Sequence, residues 1–287
     1  MAAMRKRLRR QNRTGVRTTL STIVALGVVL LAAQLVSMGL AGGFHALWRR
    51  CLALASTLRF DLAPEEISAV RLSLRVAFWA MLTSLPLATI VAMVLARGRF
   101  WGKSLLDGLV HLPLVLPPVV TGYVLLLLFG RHGPIGAFLA DRFGIIFAFR
   151  WTGAVLACAV MGFPLMVRAI RLSIEAVDTK LEDAAGTLGA KPIWVFLTVT
   201  LPLILPGIIA GMILSFAKAM GEFGATITFV SNIPGETQTL PSAIYTFTQV
   251  PGGDLAAFRL TLIAIAVSIV ALLASELVAH RVGHRIG

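Results

Sequence analysis

Residues 175–211, EAVDTKLEDAAGTLGAKPIWVFLTVTLPLILPGIIAG, carry charge and helix signals together in a chain that is otherwise mostly apolar. Glu182 to Leu188 is made of good helix formers. Gly189 can adopt the positive φ that ends a helix, and Pro192 stands where a second helix would start, since the first helical residue has no use for its N–H. The stretch therefore predicts helix, turn, helix. The second piece, Ile193 to Thr200, mixes Trp194 and Phe196 with β-branched residues, and Pro202 is expected to break it before the apolar run from Leu203. A short helical elbow then stands outside a bilayer, next to a membrane span.

The rest of the chain supports that placement. Hydrophobic residues make up 57% of the 287, only 14% are charged, and the mean hydropathy is +0.88, a composition of multi-spanning membrane proteins and not of soluble ones. A net charge of +13 would suggest a nucleic-acid partner in a soluble protein. Here the basic residues flank apolar runs, which points to membrane topology and anionic lipid headgroups, with no nucleic acid as partner. Cys51 and Cys158 stand alone without metal-ligand spacing, so neither a disulfide framework nor a metal site is expected.

About six spans are expected. Residues 1–19 hold seven Lys and Arg and no acid, and an uncharged run follows from Leu20 to Ala41. A cleaved leader has the same charge order, but the run is long enough to span the membrane and is read as a retained helix. A mixed connector covers 42–71, with a helix-start signal at Pro64, Glu65 and Glu66. Span two is expected at about Ala77–Ala96, with Arg75 at its outer end. Span three, about Leu105–Gly130, contains Pro113, Pro117 and Pro118, tolerable in a membrane only where the broken helix faces protein or a water-filled path. Span four, about Thr152–Val167, is expected to stop at Arg168 and Arg171. Span five begins at Leu203 and holds Lys218 and Glu222 one turn apart, a pair that should face protein or the pathway and not lipid. Span six is about Ala256–Val278. Asp107 and His111, also one turn apart, read as a local pair. Gly98, Gly102, Lys103 and Ser104 approach a phosphate-binding loop, but three residues separate the glycines where four are needed, and no strand precedes them.

Charge sets the orientation. The segments 1–19, 97–103, 168–202 and 280–287 hold sixteen Lys and Arg, against seven in 42–71, 131–151 and 231–255. Positive residues stay inside, so both termini and the elbow are expected in the cytoplasm.

The elbow resembles a known family. Asp183-Ala184-Ala185, Gly189, and Val199-Thr200-Leu201-Pro202 after a nine-residue gap are similar to the EAA loop of binding-protein-dependent ABC importer permeases, with Asp183 where Glu is usual and Val199 where Ile is usual. The strings HLPLVLPPVVTGY (111–123), FPLMVRAIRL (163–172) and GEFGATITFVSNIPGETQTLPSAIY (221–245) resemble the molybdate branch of the sulfate/molybdate group. The resemblance covers about 70–279 and leaves 1–69 as an N-terminal addition. It implies an all-α, polytopic inner-membrane protein with the type I ABC importer permease fold. It also implies a second copy of the chain, two cytoplasmic ABC ATPase subunits and a periplasmic oxyanion-binding protein as partners. ATP and Mg would be bound by the ATPases, with no cofactor in this chain. Residues 175–202 would form the coupling loop, with Glu182, Asp183, Ala184, Ala185, Gly189, Ala190 and Lys191 as the ATPase-coupling set.

No nucleophile–base constellation, metal cluster or nucleotide loop argues for an enzyme in this polypeptide. A tetrahedral oxyanion passes more easily along hydroxyls and backbone N–H groups than past fixed lysines, which makes Thr226, Thr228, Ser231 and Ser242 candidates for the pathway lining. Three other readings stay open: tungstate alongside molybdate, a sulfate or thiosulfate permease, and an ATP-independent secondary anion transporter. Inverted internal repeats would favour the last, and the sequence shows none.

Overall fold

A computed structural model describes residues 62–286; the expected first span, 20–41, lies outside them. Every regular element among the described residues is helical. In chain order these are α1 Pro64–Arg97, α2 Lys103–Val115, α3 Pro118–Phe129, α4 Pro134–Phe143, α5 Trp151–Ala176, α6 Thr179–Thr187 and α7 Pro192–Val195. A π-turn at Phe196–Thr200 leads into α8 Leu201–Met220, followed by α9 Gly224–Val230, α10 Leu240–Gln249 and α11 Asp254–Ile286.

The core is the triple packing of α1, α5 and α8. It closes because one stripe of α1 is small: Ala69, Ala77, Ala80, Ala88 and Ala92 are buried, and so are Ser73 and Ser84. Where lipid is as apolar as leucine, close backbone approach through small residues holds helices together. The other side of α1 exposes Ile67, Phe78, Leu82 and Ile90, as a lipid-facing surface does. At Gly207 on α8 the helices come so close that a Cβ would collide with the Ser173 side chain on α5. Facing hydrophobic clusters continue this core towards both ends of the bundle.

Several expected boundaries move. α1 begins at Pro64, well before Ala77, because Pro at the first position and Glu65 and Glu66 in the first turn start a helix that nothing interrupts until Gly98. Span three is not one helix: α2 and α3 meet at a 113° bend. Its cause is local. Leu116 and Pro117 each precede a proline and take extended ψ values of 144° and 134°, and Pro118 then starts α3. α5 runs through Arg168 and Arg171 to Ala176, because charge ends an apolar run without ending a hydrogen-bonded helix. Arg171 is also neutralised there, donating to Asp107 Oδ1 at 3.0 Å and to Glu175 Oε1 at 2.8 Å.

Pro202 does not break the chain after the elbow. The preceding π-turn widens the register, with Leu201 N–H bonded to Phe196 O, so the missing N–H and the bulk of the ring are absorbed and Pro192–Met220 is one span-length stretch. The segments 131–151 and 231–255, read only as outer connections, contain α4 and α10. Among the described residues four stretches are long and apolar enough to cross a membrane, or five if the bent α2–α3 pair makes one crossing. The protein is therefore all-α and multi-pass, and the count of six spans is not reached within these residues.

Candidate functional site

Two places in the fold combine charge, backbone irregularity and burial. The first is the elbow. Asp178 caps α6 by accepting from Lys180 N–H at 3.0 Å, and no residue of α6 is buried. The helix ends in a turn in which Gly189 N–H donates to Gly186 O and Ala190 N–H to Ala185 O. Gly189 has φ +83°, a conformation that costs a residue with a side chain about 1–2 kcal/mol. Asp183, Ala184, Gly189, Ala190 and Lys191 are exposed, and Ala185 is half-buried. The tip is also apolar: Leu188 is 89% exposed, with Leu181, Ile193 and Trp194 all more than half exposed.

Glu182 differs from its neighbour. Its Oε1 accepts from Arg97 Nη2 at 3.2 Å and from Thr200 Oγ1 at 2.9 Å, so the carboxylate turns in towards the membrane helices while Asp183 turns out.

The second place is the break after α8. Lys218 Nζ lies 2.7 Å from Glu222 Oε2, and Glu222 is only 2% exposed. The helix stops at Met220, so Glu222 sits in the break and not within the span. Its other oxygen, Oε1, accepts from Ala225 N–H at 3.0 Å and so caps α9. One carboxylate thus balances a lysine and starts the next helix.

The four hydroxyl candidates are placed differently from one another. Thr226 is buried and donates to Phe223 O at 2.9 Å. Thr228, half-buried, donates to Gly224 O at 2.8 Å, and buried Ser242 donates to Thr239 O at 2.8 Å. Ser231 is exposed and adopts φ +64° at the end of α9. Three of the four therefore already bond a carbonyl near their own helical turn. His111 Nδ1 lies 3.3 Å from Asp107 Oδ1, but that oxygen also takes the Arg171 guanidinium, so the local pair is part of a triad.

Two further polar features depend on contacts distant in sequence. Glu66, fully buried, accepts from Arg259 Nη2 at 2.6 Å and Nε at 3.2 Å and from Ala63 N–H at 2.8 Å, pinning the start of α1 to α11. A cavity of about 780 Å³ is lined by Arg131, His132, Phe149, Arg150 and Glu236, among others. No group of three His, Cys, Asp or Glu side chains among the described residues could hold a metal.

Comparison with known proteins agrees with this architecture. Residues 84–284 match the family model described as the binding-protein-dependent transport system inner membrane component. Over 226 residues the chain is 60% identical to the molybdenum transport system permease protein ModB of Escherichia coli (strain K12), covering 79% of this chain and 99% of that one. It is 34% identical over 224 residues to the sulfate transport system permease protein CysT of Salmonella typhimurium (strain LT2), covering 78% and 80%. Its fold is similar to a chain of a bacterial alginate ABC transporter solved in complex with an alginate pentasaccharide-bound periplasmic protein. That match has a TM-score of 0.66 at 15% identity, covering 90% of this chain and 96% of that one.

Proposed function

The chain belongs to the family of binding-protein-dependent transport system inner membrane components, and from that premise we propose that it forms the membrane pathway of an ATP-driven molybdate importer. The observation that carries the choice of anion is the contrast between 60% identity to a molybdenum permease along almost its whole length and 34% to a sulfate permease. The chain is a transport component and not itself a catalyst. Two copies line the pathway at their shared interface, and each elbow docks through Glu182, Asp183, Ala184, Ala185, Gly189, Ala190 and Lys191 onto one of two cytoplasmic ATPase subunits that bind ATP and Mg. The exposed Leu188 and Trp194 support this reading of the elbow. A periplasmic oxyanion-binding protein delivers the anion to the opposite face. Both termini lie in the cytoplasm, as the excess of Lys and Arg in the same segments supports.

Molybdate would pass along hydroxyls and backbone N–H groups, with Thr226, Thr228, Ser231 and Ser242 as its candidate contacts. Because three of these donate to carbonyls, they would have to rotate towards the anion or receive it in another state of the transporter. Tungstate, of the same shape and charge, is the expected co-substrate.

The test is uptake by the chain reconstituted with its ATPase and receptor in sealed vesicles. ATP-dependent entry of labelled molybdate, competed by tungstate and not by a large excess of sulfate, is the expected result. Sulfate competing equally would move the chain to the sulfate branch, and uptake without ATP would make it a secondary transporter.

A further inference from the structure

The two adjacent acids of the elbow face opposite ways, and only one of them is free to meet a partner. Asp183 is exposed. Glu182 puts one oxygen, Oε1, between Arg97 Nη2 at 3.2 Å and Thr200 Oγ1 at 2.9 Å, and the same Arg97 nitrogen donates to Val177 O at 3.2 Å. Four segments converge on that point: the last turn of α1, the residue just after α5, the first turn of α6, and the final residue of the π-turn at the root of α8. α1, α5 and α8 are the three helices that make the core. Since no residue of α6 is fully buried, this charge-assisted cluster is its polar connection to all three.

We infer that Glu182, held by Arg97 and Thr200, is a positioning residue that transmits elbow movement into α1 and the root of α8, and does not dock onto the ATPase. The inference rests on the importer reading above and reassigns one member of its coupling set. The π-turn supplies the give. Its i→i+5 ring is a rare departure from α-helix, and such turns frequently lie at functional sites. Thr200 is the last residue of that turn and is itself buried, so a pull on Glu182 reaches the root of α8 at its one departure from α-helical register. With the clasp intact, rotation of the elbow by a closing ATPase moves the helix ends together. With it cut, the elbow can move while the helices stay.

The experiment uses the full chain with its ATPase and receptor, comparing Glu182→Gln, Arg97→Gln and the double variant, with Thr200→Val as a milder probe. Glu182→Gln should copurify with the ATPase as the unmodified chain does and still hydrolyse ATP. It should move about tenfold less molybdate per ATP, the loss expected from one charge-assisted hydrogen bond. The double variant should be no worse than the poorer single one, because both remove the same connection. Loss of the ATPase from Glu182→Gln would show the carboxylate facing the partner and overturn the inference. So would unchanged molybdate per ATP, or losses that multiply in the double variant.

A readout on the chain alone separates this from failure of the importer reading. In detergent, trypsin should cut Glu182→Gln after Lys180 several-fold faster than the unmodified chain, because the elbow is no longer clasped. Equal cutting rates overturn the clasp whatever the complex does. If the unmodified chain neither retains an ATPase nor moves molybdate while the cutting rates differ, the importer reading fails, and the transmission role falls with it.

Discussion

Lys218 and Glu222 allow a prediction in which the two halves of one ion pair differ in cost. Nζ and Oε2 are 2.7 Å apart, yet Glu222 has a 2% exposed side chain and Lys218 a 29% exposed one. Lys218→Met leaves a buried carboxylate whose remaining partner is Ala225 N–H, and stranding one member of a buried pair costs about 3–5 kcal/mol. Glu222→Gln leaves an ammonium that can swing outward along its flexible stem, and the amide oxygen can still accept from Ala225 N–H. Its cost is about 1–2 kcal/mol, the range of a single hydrogen bond. The double variant strands no charge, so it should lie near Glu222→Gln and well above Lys218→Met. Folded yield by size-exclusion chromatography and the thermal midpoint of purified protein give the ranking. If Lys218→Met is as stable as the unmodified chain, or Glu222→Gln is the worse of the two, the carboxylate is not held in the way described. If the double variant folds but takes up molybdate poorly, Lys218 belongs to the pathway as well as to the scaffold.

Three shorter predictions accompany it. Gly189→Val should cost about 1–2 kcal/mol from backbone strain alone, since φ is +83° and no atom lies within 4 Å of where a Cβ would stand; copurification of the ATPase should fall with it, and wild-type retention would remove the docking role. Glu66→Gln should lower the thermal midpoint by weakening its three hydrogen bonds and leaving Arg259 without its counter-charge, a loss of about 2–4 kcal/mol, and Arg259→Met combined with it should recover part. A reporter active only in the cytoplasm should work when fused after Lys191 or Gly287 and fail after Gly235; activity at Gly235 would invert the topology.

What could be read from the sequence was what a residue imposes on its own neighbourhood. Gly189 and Pro192 bracket the turn because a positive φ and a missing N–H are local properties, and a spacing of four on a helix puts Lys218 and Glu222 side by side without help from the fold. Pro202 departs from its local expectation because its effect depends on the register of the turn before it, and a π-turn has no simple signature in the sequence. The same holds for the α2–α3 bend: three prolines announce a break, but its 113° depends on the extended ψ angles at Leu116 and Pro117.

Long-range charge pairing was invisible for a different reason. Glu66 and Arg259 are 193 residues apart and Arg97 and Glu182 are 85 apart, so neither pair leaves a period or a motif to find. The hydroxyls of 226–242 show a related gap, since composition says that donors are present and only geometry says that three of them are already spent on carbonyls. This matters most at the elbow. A motif that gives Glu182 and Asp183 as neighbours treats them as equivalent acids. Helical geometry separates them, because adjacent residues point about 100° apart, so the two acids need not meet the same surroundings. Glu182, one methylene longer than an aspartate, is the one that reaches Arg97 and Thr200, which leaves the shorter Asp183 as the acid exposed at the surface.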